Sequence, residues 1–441
     1  MSWQQEYASK LTSVEDAVGR VRSGQTVMAA PFTCTPHTLC NALIERGKRG
    51  GLEAVRVDHP ASLSAWTQPG LEQVFHRKDN YATPPNRAAC HAGGMEYLPV
   101  GVWKSWEVPP GFAESPDVFF VPVSPPDAKG YCSFGPGVWL SREMCHRSRL
   151  VIAEVHEDFI RTGGENFIHI DQLDVLVEAT IPTGSLPPPP ENPEETAAVE
   201  VICTLVANEL INNRDTIQLG VGTVSASVGL FLDEKEDLGV QTELITGGLV
   251  DLVNKGVVTG KYKNVHREKV VGSALVALSR EEQAKIDGHP AFELYDFGYT
   301  DDLRRLIQVE RFVTVNNGLV VDLTGQVSAE AVDHRMYTGV GGQTVFMIAG
   351  AYSPGGKSVS VLPSSSVPSA TGERVTRIVP VLDGGCPVTV PRTYVDYVVT
   401  EQGIATLRGK TLKERARELA AVSHPDFRPE LERAAREMYG A

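Results

Sequence analysis

Residues Gly239–Gly260 read GVQTELITGGLVDLVNKGVVTG. Val240, Thr242, Leu244 and Ile245 favour an extended strand, and Gly247 and Gly248 break it. Leu249, Val250, Leu252 and Val253 then resume at a spacing that suits either a short helix or a buried strand. Glu243 is thereby set at a strand end, beside backbone that can approach a ligand closely, which makes it a candidate reactive carboxylate. A lone glutamate is more often solvated surface, so the rest of the chain has to decide.

Working outward, the stretches on either side repeat one order of elements. A strand at Thr216–Leu219 runs into Gly220 and Gly222 and then a helical stretch. Far upstream a short helix at Ser13–Val21, capped by Ser13, precedes a strand near Thr26–Ala30, a turn through Pro31 and Pro36, and a helix near Thr38–Glu45. Leu52–Val57 fits a further strand, whereas the Trp-, His-, Pro- and Gly-rich region up to about Val108 yields no assignment. Val118–Val123 and Arg149–Val155 are continuous apolar runs, which suit strands covered on both faces of a parallel sheet. The chain is expected to form two related open α/β domains.

The clearest boundary is IPTGSLPPPPENP at Ile181–Pro193, because consecutive prolines make a stiff extended spacer and cannot join a helix or a central strand. We place an N-terminal domain at 1–181, a linker at 182–193 and a C-terminal domain at 194–441. Asn192 as N-cap, Pro193 at the first helical position and Glu195 open a helix. Its apolar stripe is Val199, Ile202, Leu205, Val206 and Leu210. Further strands are expected at Lys269–Val276, Phe312–Asn316 and Gly318–Val321. Gly355, Gly356 and Lys357 read as a tight turn, and a charged helix begins near Thr411.

Composition narrows the possible partners. The 441 residues are 42% apolar and carry a net charge of -14, with no basic run to neutralise a nucleic-acid backbone. Cys34, Cys40, Cys90, Cys132, Cys145, Cys203 and Cys386 are odd in number and never at CxxC spacing. They read as free thiols of a reducing compartment, with neither a disulfide frame nor a zinc site. The start of the chain has no basic segment followed by an apolar run, and no stretch reaches the roughly 18 apolar residues of a membrane span, so the expected location is the cytoplasm.

Three glycine turns, Gly220–Gly222, Gly247–Gly248 and Gly341–Gly342, fall in the C-terminal half. Such turns expose backbone N–H groups to an anion or a developing oxyanion, although most glycines at strand ends only turn the chain. Neither a Walker loop nor a dinucleotide fingerprint is present.

Long runs in one order carry more than these single turns. QLGVGT (Gln218–Thr223), QTELITGGLVDLVNKGVVTG (Gln241–Gly260), TGVGGQTVF (Thr338–Phe346) with its following GGK, and VDYVVTEQGIATLRGKTL (Val395–Leu412) with HPDF (His424–Phe427) stand beside VSPPDAKGYCSFG (Val123–Gly135) and VIAEVHEDFIRTGGENFIHIDQLD (Val151–Asp174). Over nearly its whole length the chain resembles the acetyl-CoA hydrolase/transferase family, especially its 4-hydroxybutyrate and butyrate:acetate CoA-transferase branch.

The resemblance implies two α/β domains of CoA-transferase type with the active site in the cleft between them, and Glu243 as a covalent nucleophile. It implies that Gly220, Val221, Gly222, Thr223 and Val224 line CoA and the thioester oxygen, that Gly341, Gly342 and Lys357 add CoA contacts, and that Gln343 is a candidate oxyanion donor. Phe32, Thr33, Pro36 and His37 are the corresponding first-domain residues for the acyl pocket. An ordinary Glu, with a pKa about 4.3, would already be ionised at neutral pH and need no partner base. Glu401 and Asp251 are rival carboxylates.

The expected substrates are a short-chain acyl-CoA and a free carboxylate, with coenzyme A thioester as substrate, no permanently bound cofactor, no metal, and a homodimer or larger assembly. A hydrolase on the same scaffold and a non-catalytic CoA-binding protein are the alternatives. The chain departs from the family pattern at Pro391–Tyr394, Gln402, Phe159–Thr162 and Thr300–Leu303, where TDDL replaces a more usual Asn-Asp-Pro.

Overall fold

In the computed structural model, residues 2–58, 61–101, 115–184, 193–368 and 371–441 are described. The chain divides into two compact units, one of Met1–Pro187, Val271–Thr300 and Met336–Gly341, the other of Pro188–Val270, Asp301–Arg335 and Gly342–Ala441. Most of the Pro-rich stretch expected as a linker, with the cap Asn192, lies outside the described residues.

The first unit is built on seven strands: β1 (Thr26–Ala29), β2 (Val55–Asp58), β3 (Phe75–Asp79), β4 (Glu96–Tyr97), β5 (Val118–Val123), β6 (Leu150–Val155) and β7 (Val175–Glu178). They lie in the order β7-β6-β5-β1-β2-β3-β4, every neighbouring pair parallel. All six residues of β5 are buried, as its continuous apolar run requires of a strand covered on both faces. Helix α1 (His37–Lys48) sends Leu39, Leu43 and Ile44 into a core shared with Val27, Val55, Phe75, Val118 and Ile152. Sheet order reverses between β1 and β5, so the loops leaving those two strands diverge and open a crevice at their carboxyl ends.

In the second unit, β8 (Thr216–Leu219) pairs with β9 (Gly239–Gln241) on one side and β10 (Phe312–Asn317) on the other. Beyond β10 come β11 (Lys357–Val361) and β12 (Tyr397–Thr400), all parallel, and β13 (Gly403–Thr406) closes this edge antiparallel to β12. The reversal falls between β8 and β10. The two units therefore share the open, mostly parallel α/β plan expected from the sequence.

Helix α2 (Pro193–Leu205) continues into a wider turn over Val206–Leu210, and Val199, Ile202, Val206 and Leu210 of its expected stripe are buried. After Gly222 comes the short helix α3 (Thr223–Ser227). The open choice after Gly247 is settled as a helix, α4 (Gly247–Asn254), with Leu249, Val250 and Leu252 buried. Helix α5 (Gln343–Tyr352) precedes β11. Helix α6 (Leu412–Ala421) starts with a capping box between Thr411 and Glu414, and α7 (Arg428–Tyr439) ends at Gly440 in the left-handed region. Leu419, Leu431 and Ala435 pack these last two helices onto Val398 and Leu407.

Several expected elements are shorter than read. The Lys269–Val276 run is two pieces, Val270–Gly272 and Ala274–Leu275. Lys357 is the first residue of β11, with Gly355 taking the left-handed conformation in the turn before it. Among the described residues no helix is long and apolar enough to cross a membrane, and no group of three His, Cys, Asp or Glu is placed to hold a metal ion.

Candidate active site

Glu243 occupies the bend that follows β9. Buried Thr242 shapes that bend: its hydroxyl donates to the carbonyl of Leu244 at 3.1 Å and lies 3.5 Å from the carbonyl of Leu219, the last residue of β8. The Glu243 carboxylate is thereby tied to the carboxyl ends of the central strands, the ligand-binding edge of an open parallel sheet.

Two groups meet Glu243. The side chain of Asp301 shares a hydrogen bond with it, and the backbone N–H of Gly342 at the start of α5 donates a second. A Cβ built on Gly342 would collide with Glu243 Oε2 and lie 2.6 Å from Asp301 Oδ2 and 3.0 Å from the Phe346 ring, so only glycine lets the backbone come this close to both carboxyls. Asp301 is completely buried and Glu243 partly so. Burial pushes the Glu243 carboxyl up to about 7, against the opposing pull of the Asp301 hydrogen bond and the Gly342 N–H. The expectation of an ordinary, fully ionised glutamate therefore does not hold, because desolvation outweighs two hydrogen bonds and the partial positive charge of a helix N-terminus.

Gly220 and Gly222 lie next to this bend along the strand ends. The N–H of Gly220 donates to the Val315 carbonyl at 2.9 Å, and a Cβ there would stand 3.0 Å from Ser225 Oγ and 3.1 Å from Asn316 Oδ1. At Gly222 a Cβ would run into the side chain of Asn317. Between them Val221 is 55% exposed, and Thr223 is exposed too, whereas Val224 is a core residue at 1%. Any ligand contact by Val224 thus falls to its backbone.

Asn317, at the end of β10, organises this rim. Its Oδ1 accepts from the N–H of Ser225 at 2.9 Å, and its carbonyl accepts from Gln343 Nε2 at 2.8 Å. One N–H of the Gln343 side-chain amide, expected to face a reacting carbonyl, is given to the scaffold. One residue further in along β10, Asn316 exchanges reciprocal amide hydrogen bonds of 2.9 and 3.1 Å with Gln218 of β8.

The structure does not bring Lys357 to this edge. It pairs in register with Val313 near the start of β10, one strand length of about 13 Å from the carboxyl end. There its ammonium donates to the Leu210 carbonyl at 2.5 Å and lies 4.0 Å from Asp215 Oδ2, and burial lowers its pKa.

Glu401 is anchored elsewhere, its carboxylate accepting from the N–H of Ser364 at 2.8 Å and from the Ser364 hydroxyl. Asp251 is exposed on α4. Gly341 belongs to the first unit, in the left-handed region at φ 58°, where a Cβ would meet the Tyr81 hydroxyl at 2.6 Å.

In the first unit the loop after β1 stands at that unit's own topological switch. Phe32 takes φ 49°, unusual for a bulky side chain, with its ring 5.0 Å from Tyr81 and 4.8 Å from Trp139. Thr33 is buried, its carbonyl accepting from Thr183 and Gly184. Pro36 precedes α1 and His37 opens it. The imidazole of His37 is half-buried, and desolvation, aided by nearby His156, holds its pKa low.

This fold is that of the α/β CoA-transferases. The family model for the acetyl-CoA hydrolase/transferase N-terminal domain matches residues 1–183, and that for the C-terminal domain matches residues 279–435. The chain belongs to the acetyl-CoA hydrolase/transferase family, and with it to the enzymes that transfer CoA.

Among its relatives, the 4-hydroxybutyrate coenzyme A transferase of Clostridium kluyveri is 35% identical over 98% of each chain. Among solved structures, RipA from Yersinia pestis superposes with a TM-score of 0.90 at 31% identity over the whole of both chains. The 4-hydroxybutyrate CoA-transferase from Porphyromonas gingivalis gives 0.79 at 29%, covering 99% of this chain and all of its own.

Proposed function

We propose that the enzyme moves coenzyme A between a short-chain acyl-CoA, such as acetyl-CoA, and a free carboxylate, such as butyrate or 4-hydroxybutyrate, with Glu243 as the covalent nucleophile. The observation that carries this reading is the Glu243 carboxyl itself, desolvated at the carboxyl ends of parallel strands against an obligatory glycine.

A Glu243 oxygen attacks the thioester carbonyl: a C–O bond forms, the C–S bond breaks, and CoA leaves as its thiolate. The thiolate then attacks the glutamyl carbonyl of the resulting anhydride, forming C–S, breaking C–O and releasing the first carboxylate. The glutamyl-CoA thioester is opened by the acceptor carboxylate, and a second anhydride returns CoA thiolate to the acceptor's acyl carbon, freeing Glu243. The thioester free energy survives only where water is kept out, and the same desolvation raises the pKa of Glu243 and makes its anion more basic.

Gly220–Thr223, the backbone of Val224, Gly341 and Gly342 are the proposed CoA contacts. Gln343 enters as an oxyanion donor only through a group other than the amide N–H given to Asn317. The enzyme is read as a cytoplasmic homodimer or larger assembly, with the domain division at 182–193.

The test is turnover of acetyl-CoA with and without an added carboxylate. Turnover should depend on the carboxylate, yield the acceptor's CoA thioester with no net free CoA, and follow ping-pong kinetics. Full release of free CoA without the carboxylate would make the protein a hydrolase instead.

A further inference from the structure

Asp301 lies in TDDL (Thr300–Leu303), noted above only as a departure from the family pattern, yet it is the side chain that touches Glu243. The two carboxyls converge on one point, the space a Gly342 Cβ would fill, and they share a hydrogen bond. Two carboxylates so placed in a desolvated site do not both ionise, so a proton stays between them.

Two observations decide which residue keeps it. Asp301 has no exposed surface, whereas Glu243 is partly exposed and receives the N–H of Gly342, a donor that favours its anion. We propose that Asp301 is held as the neutral acid of the pair and positions Glu243 by donating its O–H to one carboxylate oxygen, leaving the other free to attack. The proposal rests on the reading of Glu243 as nucleophile.

Asp302 is turned to Arg304 and Arg305, and Asp251 on α4 is exposed. Lys263, the buried cation beside β9, gives its ammonium to the carbonyls of Val240 and Lys269 and to Gln241 Oε1. The rim from Gly220 to Ser227 and the start of α5 from Gly342 to Phe346 bear no titratable side chain.

A merely structural Asp301 would accept hydrogen bonds as an anion. A positioning acid must carry a proton while Glu243 does not. Activity then needs Glu243 ionised and Asp301 protonated, which gives a bell-shaped pH profile whose alkaline limb belongs to Asp301.

The experiment combines pH profiles of kcat/KM with infrared difference spectra of the full-length wild type and Asp301→Asn. Asparagine keeps a donor and cannot titrate. Asp301→Asn should lower kcat/KM near neutral pH by about threefold to tenfold, lose the alkaline limb, and lack one carboxylic-acid C=O band. The wild type itself should show that band at the pH of full activity, so the test survives if Asp301→Asn fails to fold. An unchanged alkaline limb or acid band in Asp301→Asn, or an active wild type without an acid band that titrates along the alkaline limb, would overturn the proposal. Failure of acyl-CoA to modify Glu243 in the wild type would instead remove the nucleophile reading and leave the infrared result standing.

Discussion

Glu243 and Glu401 each follow a threonine just past a strand of the second unit and precede glycine by a few residues, yet the fold treats them oppositely. Glu401 is surrounded by donors: the N–H and hydroxyl of Ser364, and Gln402 Nε2 at 3.3 Å. Burial would push its carboxyl up, but those hydrogen bonds prevail and hold it below the usual range. Glu243 has one backbone N–H and another acid, and burial wins, lifting it to about 7. Satisfied, Glu401 is a staple between β12 and the chain at Ser364. Glu243, with fewer donors and a raised pKa, is the carboxyl proposed as the nucleophile.

The largest expected effect follows from the glycine that Glu243 needs and Glu401 does not. Gly342→Ala places a methyl group where Glu243 Oε2 already lies and should cost at least about a hundredfold in kcat/KM, a displacement of about 1 Å being enough. A Gly342→Ala enzyme within twofold of wild type would break the comparison by removing the close approach from the mechanism.

A smaller and sharper effect lies in stability. For Glu243 the folded pKa exceeds the unfolded value of 4.5. The stability its protonated form lends is fully present below 4.5 and lost as pH rises through about 7. Glu243→Gln should therefore melt a few degrees above wild type at pH 8, on the order of 1 kcal/mol or more, with the difference vanishing toward pH 5. Glu401, depressed below 4.5, contributes stability that is present above that value and lost as pH falls through its folded pKa. Glu401→Gln should melt below wild type at pH 8, by about 1–3 kcal/mol, with the gap narrowing in acid. Melting curves of the two variants at pH 5 and pH 8 read both signs, and equal signs would dissolve the distinction.

These contrasts also mark how far the amino-acid sequence can be read. The β8 and β9 strands and the break in extended structure at Gly247 are local signals, and the structure has them where the residues place them. Glu401 and Glu243 could not be ranked locally, because the ranking depends on Ser364, Asp301 and Gly342, each distant along the chain.

Lys357 was misplaced for a different reason. A residue at the start of a parallel strand lies at the edge away from the ligand, so a lysine directly preceding an apolar run belongs with Leu210 and Asp215. Asn317 ends a legible strand, but its two partners, Ser225 and Gln343, lie on different helices and leave no periodic trace. The stretch before Val108 resisted reading because β3 and β4 mix charged and aromatic residues and are short, five and two residues.

The most direct measurement is peptide mass mapping after incubation with acetyl-CoA and quenching, with borohydride reduction as a parallel trap. The account predicts a CoA-sized adduct on the peptide containing Glu243, lost on addition of an acceptor carboxylate and absent in Glu243→Gln. An adduct on Glu401 or Asp301, or turnover at the wild-type rate with Glu243 replaced, would contradict it.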